Sequence, residues 1–352
     1  MTVRILAAGD EFVGTGLLTG AVRQELGTVP AGPGDPEFTE LVLPWPIEPF
    51  GPVGNVREAS GTEELMIEAI ADAEAAVTQM APFTEKVFAA APHLRLVAVC
   101  RGGPVNVDLD AATAAGVAVT YAPGRNAAAA AEFAVGMILA AMRRISTSSA
   151  ELLAGTWRGD YYAYANAGVE LEGTTVGLVG YGAIGSRVAR VLVAFGARVL
   201  VSDPFADPAR ITDDGAEPVE LEDLLRRSAV VSLHARLTEG TRHLIDAERL
   251  ALMPEGAVLV NTARGGLMDY APLPEALRSG RLGALALDVY DVEPPPADWA
   301  LREAPNVIAT PHLAGASRQT AERAARIVAA DVGRYHRGEA LAFLANPAVL
   351  DR

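Results

Sequence analysis

Three glycines impose the tightest constraint on this chain. In "TTVGLVGYGAIGSRVARVLVAFGARVLVSDP" they stand at Gly180, Gly182 and Gly185, in a G-x-G-x-x-G spacing. Glycines gather in turns of every kind, so the spacing alone says little. Its flanks say more. An apolar strand pattern leads in, and an amphipathic helix pattern leads out. The first glycine permits a tight turn, the second lets backbone approach a pyrophosphate, and the third lets helix and strand pack closely. The helix N-terminus then offers N–H groups to phosphate oxygens. The next strand pattern ends at Asp203. An acid there can accept hydrogen bonds from both hydroxyls of an adenosine ribose and would repel a 2′-phosphate, which favours NAD over NADP.

The rest of the chain fits an α/β protein of two domains. Its 352 residues exceed the usual size of one compact domain. Before the glycine turn, "VRILAAG", "FTELVLPW", "AAVTQM", "LRLVAVC" and "VAVTYAP" read as strands with helices between them. Thr62 followed by acids marks one helix start. The Pro- and Gly-rich stretch Thr28–Gly54 reads as holding an irregular loop, and about Ala127 to Ala154 as one long helix with Asn126 as its N-cap. After the turn, "AVVSLHA", "AVLVNTA", "GALALDVY" and "NVIATPH" are further strands.

Composition removes several classes of function. The net charge of −15 disfavours a nucleic-acid binder, which needs a basic face. No apolar run of about 18 residues is free of charges and Gly/Pro breaks, so no membrane span is expected. The stretch Met1–Gly9 lacks the pattern of a signal peptide. The single cysteine, Cys100, excludes an intrachain disulfide or zinc knuckle and reads as a small buried apolar side chain. A soluble cytoplasmic protein without a metal site is the expectation. Lys86, the only lysine, is the only candidate for a Schiff base.

In an open α/β sheet, ligands bind beyond the carboxyl ends of the strands. Arg264 follows the strand ending at Val260, Glu293 lies in "DVYDVEPPP", and His312 in "TPHLAG". Singly they have plainer readings: a structural ion pair, a solvated loop acid, a capping histidine. Together they suit hydride transfer to a 2-keto acid. The guanidinium clamps the substrate carboxylate and polarises the carbonyl. The imidazole exchanges a proton with the substrate oxygen. A carboxylate beside an imidazole favours the imidazolium and fixes its tautomer.

"VGLVGYGAIGSRVA", "LVNTARGGLMD", "LDVYDVEP" and "NVIATPHLAG" resemble, in order and spacing, the signatures of the D-isomer-specific 2-hydroxyacid dehydrogenase family, which includes phosphoglycerate dehydrogenase. The resemblance implies two Rossmann-like or flavodoxin-like domains. A NAD-binding Rossmann domain, 122–315, would be inserted into a discontinuous flavodoxin-like substrate domain, 1–121 with 316–352, with the catalytic cleft at the hinge. It implies Arg264, Glu293 and His312 as the catalytic set. Cofactor contacts would come from Gly180, Gly182, Ala183, Ile184, Gly185, Asp203, Thr262, Ala263, Arg264, Asp288 (near the carboxamide), His312, Ala314 and Gly315. It also implies a homodimer built with the long helix and the nucleotide domain.

Two stretches depart from the family pattern. The substrate loop is the short "RGGPVNVD", where Arg101, Gly102 and Gly103 would join Arg264 in substrate binding through a small anion nest. Arg101 could add a second cation and favour a phosphorylated substrate, or pair with a structural acid. In "HARLT", Arg236 replaces the family's proline and could stack on adenine or pair with Asp203. Tyr161, Tyr162 and Tyr164 could cover the cleft or sit on the surface. Two other functions compete: a NAD(H)-sensing, corepressor-like interaction protein on this fold, and oxidation of a phosphonate- or phosphite-type substrate. Formate dehydrogenases of the fold place Gln where Glu293 stands.

Overall fold

The computed structural model describes residues 3–27 and 35–351, so residues 28–34 of the Pro- and Gly-rich stretch lie outside the described residues. The chain forms two compact units, Met1–Asn126 with Ser317–Arg352, and Ala127–Ala316.

The first unit runs β1 (Arg4–Gly9), α1 (Thr15–Leu26), β2 (Glu37–Val42), β3 (Gly51–Val53), β4 (Val56–Ala59), α2 (Glu63–Ile70), β5 (Ala75–Thr78), α3 (Glu85–Ala89), β6 (Leu96–Val99), α4 (Leu109–Ala114) and β7 (Ala118–Tyr121). Five strands pair in parallel, in the order β2-β1-β5-β6-β7. Counted among themselves they follow 2-1-3-4-5, the flavodoxin-like order. β5 and β6 are buried throughout, as strands of a doubly covered parallel sheet must be. The edge strand β2 carries the exposed acids Glu37 and Glu40, which discourage pairing with another chain. Thr62 and Asp108 cap α2 and α4 by accepting the N–H groups of Leu65 and Ala111. The expected irregular loop is partly ordered: β3 and β4 form an antiparallel hairpin turned at Gly54, which has φ +55°.

The second unit runs α5 (Ala127–Met142), α6 (Ile145–Leu153), β8 (Thr175–Val179), α7 (Gly185–Ala194), β9 (Arg198–Ser202), α8 (Pro208–Asp213), β10 (Glu217–Pro218), α9 (Leu221–Arg227), β11 (Val230–Leu233), α10 (Ala247–Leu252), β12 (Ala257–Asn261), α11 (Leu273–Arg278), β13 (Leu282–Leu287) and β14 (Val307–Ala309). Its parallel sheet has the order β10-β9-β8-β11-β12-β13-β14, the Rossmann 3-2-1-4-5-6 with a seventh strand added. One face packs on α5 and α7 through Ala134, Ile138, Leu178 and Val188; the other is filled by Leu224, Leu259, Leu277 and Leu285. The helix α12 (Arg318–Arg337) returns to the first unit and packs on α1, where Leu18, Val22, Ala324 and Val328 share a core. No helix among the described residues is long and apolar enough to cross a membrane.

One expectation is corrected. The single long helix from Ala127 to Ala154 is broken between α5 and α6. Arg144 takes a left-handed conformation with φ 52°, which an α-helix cannot continue through. Its guanidinium donates to Asn306 Oδ1 at 3.0 Å and lies over the Tyr161 ring, and these contacts hold the break in place.

Candidate active site at the carboxyl edge of the second sheet

The strand order of the second unit reverses at β8, whose neighbours are β9 and β11. The crevice beyond the carboxyl ends of such a pair is where ligands bind in this architecture. Each glycine of the turn after β8 meets a different surrounding. Gly180 has φ +102°, and a Cβ there would lie 2.7 Å from Ala235 N. A Cβ on Gly185 would lie 2.2 Å from the Gly180 carbonyl oxygen. A Cβ on Gly182 would meet nothing within 4 Å. Two glycines are therefore required by packing, and the middle one faces open space that a pyrophosphate can use. Ile184, which precedes α7, makes no side-chain cap, and backbone alone closes the first turn: Ser186 N–H donates to the Gly182 carbonyl at 3.1 Å and Arg187 N–H to the Ile184 carbonyl at 2.9 Å.

Asp203 lies just beyond β9. Its Oδ2 accepts the Tyr181 N–H at 2.7 Å and its Oδ1 accepts the Phe205 N–H at 2.9 Å. The acid thus ties the glycine turn to the next strand, and each oxygen keeps a second lone pair for a ribose hydroxyl. Arg236 is exposed, and among the described residues no ion pair joins it to Asp203. His234, beside Gly180, is driven by burial down to about 4, so it stays neutral at physiological pH; its Nε2 bonds Ser232 Oγ at 3.0 Å.

The arginine turn is built by a residue that sequence reasoning passed over. Asn261 is fully buried at the end of β12. Its Oδ1 accepts the Ala263 N–H at 3.0 Å, and its Nδ2 donates to the Arg264 carbonyl at 2.9 Å. This folds the turn back and presents Arg264 to solvent. The guanidinium donates to the Ala263 carbonyl at 2.6 Å, and among the described residues it enters no ion pair. Gly265 was also overlooked: a Cβ there would lie 1.9 Å from the Tyr290 carbonyl group, so only glycine lets the turn rest on the chain leaving β13. Thr262 is buried, and among the described residues its Oγ1 has no hydrogen-bond partner.

Asp288 follows β13 and is completely buried. Its Oδ1 accepts from Thr310 Oγ1 at 2.6 Å and from Leu313 N at 2.8 Å; its Oδ2 accepts from Ala314 N at 2.7 Å. Where the resemblance places a contact to the cofactor, this carboxylate clamps the loop that carries His312. The clamp holds His312 at φ 56°, a left-handed backbone unusual for a side chain of this size.

Glu293 and His312 come together. His312 Nδ1 lies 2.7 Å from Glu293 Oε2, and Glu293 Oε1 accepts the Tyr290 N–H at 3.0 Å. Burial raises the Glu293 pKa, but the His312 bond and charge, the Tyr290 N–H and the charge of Arg264 outweigh it, so the carboxyl titrates below its ordinary value. With Nδ1 held by a carboxylate, Nε2 is the nitrogen left for proton exchange. Ala314 is buried and Gly315 half-buried on the same loop. An open glycine, a helix start without a side-chain cap and a Thr262 hydroxyl with no partner among the described residues, all at one sheet edge, fit a dinucleotide.

In the first unit, Arg101, Gly102 and Gly103 follow β6. A Cβ on either glycine would meet nothing within 4 Å. The Arg101 guanidinium, however, forms an ion pair with Glu58. Cys100 is buried, and burial pushes its thiol up to about 12. Of the three tyrosines, Tyr162 and Tyr164 are fully exposed, while Tyr161 donates to Glu151 Oε2 at 2.7 Å.

The chain is similar to known proteins over most of its length. Residues 135–314 match the family model described as D-isomer specific 2-hydroxyacid dehydrogenase, NAD binding domain. The chain is 40% identical over 304 residues to the D-3-phosphoglycerate dehydrogenase of Mycobacterium tuberculosis, a match covering 86% of this chain but 57% of that protein. It is 38% identical over 294 residues to the glyoxylate reductase of Korarchaeum cryptofilum, covering 83% of this chain and 89% of the relative. Among solved structures, the apo form of D-lactate dehydrogenase from Escherichia coli superposes with a TM-score of 0.73 at 26% identity, over 97% of this chain and 99% of that one.

Proposed function

The chain belongs to the D-isomer specific 2-hydroxyacid dehydrogenase family, and on that footing we propose that it interconverts a small 2-hydroxy acid, of the D configuration, and its 2-keto acid. Bound NAD supplies or accepts the hydride. Arg264 binds the substrate carboxylate through two N–H groups and polarises the adjoining carbonyl. His312 Nε2 gives a proton to the carbonyl oxygen during reduction and takes it from the hydroxyl during oxidation. Glu293 orients the ring and offsets its positive charge. The Arg101–Gly103 loop adds backbone contacts to the substrate.

The observation that carries this reading is the Glu293–His312 pair at 2.7 Å, on strand ends neighbouring that of the ion-pair-free Arg264. The test follows NADH absorbance with glyoxylate, pyruvate and hydroxypyruvate. Consumption with at least one of them is expected. Tight NADH binding with no consumption would overturn the assignment.

The same reading places the protein in the cytoplasm as a homodimer. Support for the dimer comes from the exposed apolar side chains Ile145, Leu152, Leu153 and Trp157 on and after α6. Sedimentation equilibrium should give twice the 36.7 kDa chain mass, and a monomer at micromolar concentration would refute it.

A further inference from the structure

The β3–β4 hairpin of the first unit delivers an acid to the substrate loop. Val56 and Ala59 of β4 are buried, the Ser60 N–H donates to the Met80 carbonyl at 2.9 Å, and Asn55 Nδ2 bonds the Asp108 carboxylate. β4 is thereby fixed at both ends. Between those anchors, Glu58 directs its carboxylate onto the Nη2 of Arg101. The Nη1 of Arg101 contacts Met80 Sδ, and the Phe50 ring lies 5.9 Å from the guanidinium carbon. The Arg101 side chain is 19% exposed and that of Glu58 41%, so an arriving anion meets the carboxylate more readily than the cation. The groove bordering the hairpin adds no compensating charge: its charged lining residues, Glu11 and Glu48, are both acids.

We propose that Glu58 is a specificity-determining residue that cancels the charge of Arg101 and so excludes substrates bearing a second anionic group. This rests on the reading that the Arg101–Gly103 loop contacts substrate. A phosphate or a second carboxylate reaching this loop would have to lie against the Glu58 carboxylate, or break the pair and leave that carboxylate without its counter-charge. A hydrogen, methyl or hydroxymethyl group meets neither cost. Specificity here comes from a repulsive element placed beside an attractive one. The substrate class is accordingly 2-hydroxy and 2-keto acids whose remaining group is uncharged.

Titration calorimetry with NADH-loaded protein compares D-glycerate with its 3-phosphate, two acids differing only in the second anion. The wild type should bind glycerate more tightly. Glu58→Gln should shift the ratio of the two dissociation constants toward the phosphate ester by about tenfold or more, about 1.4 kcal/mol. Glu58→Ala should shift it the same way, and adding Arg101→Gln should abolish the shift. A ratio in both Glu58 variants within about threefold of the wild type, a wild-type preference for the phosphate ester, or binding of neither acid would overturn the proposal. NADH oxidation by hydroxypyruvate separates the two levels. Turnover without a change in the ratio removes only the role of Glu58. Absence of turnover with any keto acid removes the dehydrogenase reading itself.

Discussion

The carboxyl edges of the two parallel sheets handle charge in opposite ways. In the second unit, two fully buried polar residues, Asn261 and Asp288, are saturated by backbone and hydroxyl partners of the adjoining loops. What they present outward is Arg264, without an ion pair among the described residues, and the Glu293–His312 couple. In the first unit, Arg101 is matched by Glu58. Arg125 is largely buried, with its Nε and Nη1 finding no partner among the described residues, and burial lifts the nearby Asp10 carboxyl to about 6. A cation kept solvent-facing by scaffolding whose buried polar atoms are already hydrogen-bonded can receive an anion at little desolvation cost, whereas a cation already answered or enclosed cannot.

Substitutions at each edge test that contrast. The largest effect is expected for His312→Ala, which should lower kcat by about 10²–10⁴-fold while NADH affinity, read by fluorescence titration, moves little. Wild-type turnover in that variant would remove the imidazole from the chemistry. Arg264→Gln should reduce kcat/KM for the keto acid by about 10²-fold or more, the cost of losing a charge-assisted clamp. Arg101→Gln should cost about tenfold at most if the first edge is internally neutralised. Equal losses at the two arginines would erase the distinction. Within the glycine turn, Gly185→Ala should destabilise by about 1–3 kcal/mol through overpacking, measured by urea unfolding. Gly182→Ala should leave stability unchanged and weaken NADH binding.

The smallest effect is in pH dependence, and its sign differs between the edges. The folded-state pKa of Asp10 is raised from 3.8 to about 6, so the folded protein holds this proton longer than the unfolded chain. Its contribution to stability is therefore greatest below about pH 4, declines as pH rises to about 6, and is level above that. Glu293 is depressed instead. Its contribution is present above the unfolded carboxylate pKa and is lost as pH falls through the lowered value. The difference in unfolding free energy between wild type and Asp10→Asn should slope between pH 4 and 6, and that between wild type and Glu293→Gln should slope the other way at lower pH. A flat difference for Asp10 would mean that its proton is not retained.

The parts of this molecule visible in the sequence are those governed by short-range pattern. Gly180, Gly182 and Gly185 are legible because a strand, a turn and a helix start must follow one another within a few residues. Arg264, Glu293 and His312 stand out because each charge or ring immediately follows an apolar run. Asn261 and Asp288 escaped notice as scaffolding because each closes a strand, where a polar residue reads as an ordinary terminus. Only contacts to Arg264 and, across 26 residues, to Ala314 reveal what they hold. Glu58 meets Arg101 from 43 residues away, through a hairpin hidden in a Pro- and Gly-rich stretch. The break at Arg144 was invisible because arginine favours helix; its side chain reaches Asn306, 162 residues away, a contact no local pattern signals.

The discontinuity of the first unit bears on how the chain matures. Asn346 completes that unit: its Oδ1 accepts the Val119 N–H at 2.8 Å and its Nδ2 donates to the Val117 carbonyl at 2.9 Å, while α12 supplies a wall of the core. During translation the segment Ala127–Ala316 leaves the ribosome whole before α12 and Asn346 emerge, so the first unit lacks part of its core until then. The usual N-terminal-first order of folding is inverted here. Until α12 arrives, the face of β5, β6 and β7 that it covers stays open to solvent.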